Sequence, residues 1–100
     1  MNRFQHISIA DTRELVATGG IVLVDVRDAM SYNNGHIEGA VLLDNSNVAE
    51  FIAATDRATP VVVYCYHGHS SQGAAQYLVE QGFATVYSLD GGFEAWRISS

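Results

Sequence analysis

Two unbroken apolar runs, Ile21-Val22-Leu23-Val24 and Val61-Val62-Val63-Tyr64, constrain this chain more than any other feature. A strand with one wet face alternates apolar and polar side chains; a run without alternation belongs to a strand covered on both faces. Covering both faces takes helices, and the stretches between the runs supply them. Ser8, with Asp11 three residues on, marks a helix that closes near Thr18 at Gly19-Gly20. Asn47 with Glu50 marks a second, whose Val48, Phe51 and Ile52 share a face. A third begins at about Ser70 or Ser71, with Ala74, Ala75, Leu78 and Val79 at helical spacing. Gly82 suits its left-handed cap, and Phe83 then packs back on Leu78. Short strands are expected at Val41-Leu42-Leu43 and Thr85-Val86-Tyr87, a turn-rich stretch over residues 29–40, and a terminal helical turn after Gly91-Gly92. Strands alternating with helices predict an α/β domain with a mostly parallel sheet.

Length and charge narrow the function. The 100 residues fit a single domain, 1–100, and one cysteine cannot close an internal disulfide. Eleven acidic residues against five basic ones, all arginine, give a net charge of −6. Such a chain lacks the basic footprint of a nucleic-acid binder or of a protein held on an anionic membrane. The longest apolar run, Val61 to Tyr66, falls far short of the ~20 residues of a membrane span. The first twenty residues hold no signal-peptide core. A soluble protein of the reducing cytoplasm is expected.

The one cysteine, Cys65, stands where a buried strand gives way to a helix, and ligands of open α/β sheets bind at the carboxyl ends of strands. The first turn of a helix presents unpaired amides and the positive end of the helix dipole, both of which favour an anion. At an ordinary pKa near 8.5 only about 3% of a thiol is ionised at pH 7. Lowering it by about two units, roughly 2.7 kcal/mol, makes the thiolate the major form. A helix end contributes about 0.3–1 kcal/mol. The balance must come from amides turned inward by the loop, with Gly68 allowing the turn. Cys65 is therefore expected to be an activated nucleophile held by amides and a helix dipole, since no lysine exists to help.

A lone cysteine at a strand end is commonly a small buried hydrophobe. The polar residues that follow at once, Tyr66-His67-Gly68-His69-Ser70-Ser71, do not suit a buried core position. Cys65, His67 and His69 are too closely spaced for a structural zinc site, which needs four ligands, and no second cluster exists. No metal is expected; the two histidines are expected to offer donors to an anionic substrate. Cysteine-dependent phosphatases close their loop with an arginine, and none stands between Arg57 and Arg97. A dithiol redox site needs a second cysteine.

Four segments together resemble the rhodanese, or sulfurtransferase, family over nearly the whole chain. They are Asp25-Val26-Arg27, Gly35-His36-Ile37-Glu38-Gly39-Ala40, the loop Cys65 to Ser70, and Asp90-Gly91-Gly92-Phe93-Glu94-Ala95-Trp96. Cys65-Tyr66-His67-Gly68 and Gly73-Ala74-Ala75-Gln76-Tyr77-Leu78 look most like its single-domain thiosulfate sulfurtransferases. The resemblance implies a three-layer domain, with a mostly parallel five-stranded sheet in the order 3-2-4-5-1 between helices. It implies that Cys65 takes sulfur from thiosulfate as a persulfide and passes it to cyanide or to a thiol acceptor such as thioredoxin, without a cofactor. Tyr66, His67, Gly68, His69 and Ser70 would bind the substrate through their amides. The Ser70 hydroxyl would either meet the sulfur or cap the helix, and Tyr66 would form a pocket wall. Asp25, Arg27 and His36 are expected to fix the loops, with Glu94 as one partner for Arg27, and Phe93 and Trp96 to be core aromatics. Many relatives carry a cation where this chain has Tyr66, Ser70 and Gln72, so thiosulfate is expected to bind weakly. Two further functions fit the same pattern: a persulfide carrier fed by a partner protein, and a catalytically silent binding module.

Overall fold

A computed structural model describes residues 3–99. Five strands, β1 (Gln5–Ile7), β2 (Val22–Asp25), β3 (Val41–Leu42), β4 (Val61–Tyr64) and β5 (Val86–Leu89), alternate with five helices. These are α1 (Ile9–Thr18), α2 (Ala29–Asn34), α3 (Val48–Ala54), α4 (Ser70–Glu80) and α5 (Gly92–Ile98). All strand pairs are parallel, in the order β1-β5-β4-β2-β3. Read from the other edge, this is the order 3-2-4-5-1. No helix among the described residues is long and apolar enough to cross a membrane.

The two apolar runs form the middle of this sheet. Along β4, Val61 and Val63 face one layer with Val24, Leu78 and Phe83, packed by α3 and α4. Val62 and Tyr64 face the other with Leu23 and Leu89, covered by Leu15 of α1 and Phe93 and Trp96 of α5. Every residue of β4 is fully buried, which explains why its sequence cannot alternate. Trp96 is half-buried and carries the Arg13 guanidinium 4.2 Å above its ring.

Local signals set several helix ends. The Ser8 hydroxyl accepts from the Asp11 amide at 3.1 Å and starts α1. At the end of α4 the Phe83 amide donates to the Leu78 carbonyl and the Gly82 amide to that of Val79, the paired bonds of a Schellman cap.

Other elements depart from the sequence reading. Part of the stretch expected to be turn-rich is α2, started by the Asp28 carboxylate, which accepts from the Ser31 amide at 2.8 Å. Its six residues bury nothing fully, so no apolar stripe announced it. Asn47 begins α3 without a side-chain cap. Its side chain instead accepts from the Asp44 amide and donates to the Leu42 carbonyl, tying β3 to the turn. The last strand lies at Val86–Leu89, later than Thr85-Val86-Tyr87. The edge strand β1 buries only Ile7 and had no apolar run to mark it.

Candidate active site

Because every strand runs the same way, their carboxyl ends gather on one edge: Asp25 at the end of β2 with Arg27 just beyond, Cys65 after β4 and Asp90 after β5. Cys65 is buried there at 2% exposure, and the loop from Tyr66 to His69 folds around its sulfur. The Gly68 amide donates to Sγ at 3.2 Å, and so does the Ser71 amide. Ser71 belongs to the first turn of α4, where amides lack helical acceptors. The sulfur thus fills the role of an N-cap side chain, which His69, the residue in that position, leaves unfilled.

Gly68 makes the inward turn with φ of +95°, and its amide cannot reach Sγ without it. A Cβ there would also stand 3.0 Å from the Gly91 amide nitrogen. The Gln72 side chain donates to the Gly68 carbonyl at 2.8 Å and supports the turn from below. A cation at that position would therefore have a structural bond to replace.

From the opposite side, α5 holds the loop by its backbone. The Phe93 amide donates to the Cys65 carbonyl at 2.8 Å and the Glu94 amide to the Tyr66 carbonyl at 3.1 Å. These first-turn amides have no helical partner, so the loop carbonyls satisfy α5 as the sulfur satisfies α4. The contact is close enough that only glycine fits at position 92.

Burial pushes the Cys65 thiol pKa up, but the hydroxyls of Ser70 and Ser71 and the amides of Ser71 and Gly68 outweigh it. The result is about 7 against an ordinary 9.0, a stabilisation of the thiolate by roughly 3 kcal/mol. The thiolate is thus available near neutral pH. Ser71 was not singled out in the sequence, yet both its amide and its hydroxyl meet the sulfur. Its position one residue into the helix was the available signal. Ser70 is the first residue of α4, and His69 before it stands in the cap position.

The other expected site residues lie farther out. His67 and His69 are exposed, and among the described residues no three His, Cys, Asp or Glu side chains cluster as metal ligands do. Tyr66 is 38% exposed; its hydroxyl donates to the Asp28 carboxylate and meets the Ser31 hydroxyl at 3.0 Å. That bond is the main reason the Asp28 carboxyl sits low, at about 2. Asp25 and Arg27 form a buried ion pair, Nη2 to Oδ2 2.6 Å, and Arg27 also donates to the Gly35 carbonyl at 2.7 Å. The bond to Gly35 ties the turn after β2 to the end of α2. His36 stacks on Tyr32 at 3.9 Å and donates to its carbonyl.

Glu94 does not pair with Arg27. It binds Arg97, one helical turn on, at 2.7 Å, a contact set by their shared helix face. Arg27 instead lies 4.2 Å over the Phe93 ring. A cavity of about 220 Å³ opens between Tyr66, Phe93, Arg27 and Arg97. Both of its arginines are paired with carboxylates, Arg27 with Asp25 and Arg97 with Glu94.

Comparison with known proteins bears on this edge of the sheet. Residues 8–99 match the family model of the rhodanese-like domain. The protein named thiosulfate sulfurtransferase GlpE from Shewanella oneidensis is 54% identical over 97 residues, 97% of this chain and 96% of its own. The Stutzerimonas stutzeri protein of the same name is 63% identical over 78 residues, 78% of this chain and 72% of its own. Among solved structures, a rhodanese-related protein from Thermoplasma volcanium superposes with a TM-score of 0.81 at 25% identity, covering 97% of this chain and 94% of its own. The rhodanese-like domain of an Anabaena protein gives 0.83 at 25% identity, over 98% of this chain and 75% of its own. A family model that spans nearly the whole domain, and relatives this similar along it, place the chain in the rhodanese family.

Proposed function

We propose that this chain is a thiosulfate sulfurtransferase, with Cys65 as nucleophile and sulfur carrier and residues 1–100 acting as one domain. The observation that carries the reading is the buried Cys65 sulfur at the meeting of two inward amides and the hydroxyl of Ser71. The Cys65 thiolate attacks the outer sulfur of thiosulfate. A new S–S bond forms, the old one breaks, and its electron pair leaves with sulfite. Cys65 then carries a persulfide whose terminal sulfur holds the negative charge. In the second half, cyanide or the thiolate of an acceptor such as reduced thioredoxin takes that sulfur, and the Cys65 thiolate returns.

The loop amides from Tyr66 to Ser70 hold the incoming anion, with His67 and His69 as donors at its outer side. Tyr66, tied to Asp28, is a wall of the site. With both nearby arginines paired, thiosulfate binds weakly. A lone cysteine offers no internal thiol to release the persulfide, so sulfur leaves only to an outside acceptor, and a reducing cytoplasm suits it.

Intact mass after mixing with thiosulfate tests this reading. One sulfur atom gained, removed by cyanide and absent from Cys65→Ala, is the expected result. Sulfur gained only from a cysteine desulfurase would favour a carrier fed by a partner, and no gain from either would favour a silent binding module.

A further inference from the structure

Behind the sulfur lies a second hydroxyl. Ser88 of β5 is fully buried, and its Oγ stands 2.8 Å from the Ser71 Oγ, which in turn stands 3.3 Å from Cys65 Sγ. Ser71 is fully buried as well. Among the described residues the Ser88 hydroxyl has no other side-chain or backbone partner, and the Ser71 hydroxyl has only these two. The three atoms form a line with two contacts.

Counting protons along that line distinguishes the states of the cysteine. With a neutral thiol there are three protons, on Sγ and on both hydroxyls, and only two contacts to hold them. One donor is then left without an acceptor within this line, which has a cost when it is the fully buried Ser88 hydroxyl. With the thiolate there are two protons and two contacts: Ser88 donates to Ser71, and Ser71 donates to the sulfur. A Cys65 that carries a persulfide also has no proton on Sγ, so the same direction persists. We propose that Ser88 is a positioning residue: by orienting the Ser71 hydroxyl toward Cys65, it favours the proton-free sulfur in both halves of the reaction. Its functional meaning rests on the sulfur-transfer reading, while its effect on the cysteine does not.

The sequence hid this because residues 71 and 88 are brought together only by the packing of α4 on β5. Position 88 stands in the strand beside Val63, where an apolar side chain would be the ordinary choice. The charged and titratable groups around the loop are Asp25, Arg27 and Asp28 after β2, Tyr64 on β4, Tyr66, His67 and His69 in the loop, Asp90 after β5 and Glu94 on α5. None of them hydrogen-bonds the sulfur among the described residues. The hydroxyl pair is thus the route by which β5 reaches it.

Iodoacetamide alkylation of Cys65 against pH tests the proposal in wild type, Ser88→Ala, Ser71→Ala and the double variant, with near-ultraviolet circular dichroism to establish folding. Ser88→Ala should raise the midpoint by about half a pH unit, the size of one modest hydrogen bond. Ser71→Ala should raise it at least as far, and the double variant no farther than Ser71→Ala alone. An unchanged midpoint in Ser88→Ala, or a further rise when it is added to Ser71→Ala, overturns the proposal. Ser88→Thr keeps the hydroxyl and should keep the wild-type midpoint; a midpoint as high as that of Ser88→Ala overturns it too. Persulfide formation from thiosulfate, read by mass on the wild type, is scored separately. Its absence removes the enzymatic reading and leaves the alkylation result to decide the relay.

Discussion

Replacing Gly92 by alanine measures how much of the site depends on α5. The added Cβ would lie 2.6 Å from the Cys65 carbonyl oxygen and 2.6 Å from the carbonyl carbon and oxygen of Tyr66. These are backbone atoms of the loop, so no side chain can swing away. Reaching an ordinary contact of about 3.5 Å takes a shift of roughly 0.9 Å between helix and loop. That shift stretches the bonds from the Phe93 and Glu94 amides beyond useful length, a loss of about 1–3 kcal/mol for the two. Gly92 also has φ of +61°, where a side chain adds about 1–2 kcal/mol. The total is about 2–5 kcal/mol in urea unfolding. Gly20→Ala is the control: its φ is +79°, but nothing lies within 4 Å of the added carbon, so only the conformational cost of about 1–2 kcal/mol applies. Loop displacement should also slow Cys65 alkylation near pH 7, which Gly20→Ala should not. Equal destabilisation by the two variants, with alkylation unchanged, would refute the buttress.

Three other predictions concern charge. Arg27→Met leaves the fully buried Asp25 carboxylate without its partner and should cost about 3–5 kcal/mol in the same assay. Adding Asp25→Asn should recover part of this loss, and no recovery would count against the pair as the cause. The rate of Cys65 alkylation should have its midpoint near pH 7, and a midpoint at or above about 8.5, the free-thiol value, would remove the case for activation. The sign for stability follows from a folded value of about 7, below that of a free thiol. The thiolate's contribution is full above pH 9 and is lost as pH falls through 7, so the stability gap between wild type and Cys65→Ala should move in favour of wild type as pH rises from 7 to 9.

What could be read from the sequence was local or driven by burial. The runs at Val22 and Val61 announced central strands because a doubly covered strand has no wet face to mark. Ser8 and Gly82 announced helix ends because caps act over three or four residues. Cys65 stood out by its position between strand and helix. Elements without such marks stayed hidden: β1, whose only buried residue is Ile7, and α2, which has none. Within the site, the amide of Gly68 was legible because the turn lies next to the cysteine. Ser88 and Gly92 were not, since their bearing on the sulfur comes from packing between distant parts of the chain.

The attachment of α5 to the loop has a consequence for how the protein is made. Synthesis delivers Cys65 and the start of α4 early, Ser88 later, and the amides of Phe93 and Glu94 later still. A nascent chain that ends before residue 88 carries the cysteine but not the frame that fixes its loop. Such a chain lacks both the Ser88 hydroxyl and the α5 amides that hold the loop. The same order makes the carboxyl-terminal helix a point of vulnerability. Removing residues 92–98 would take away the backbone bonds that hold the loop and uncover the Val62 and Tyr64 face of the sheet.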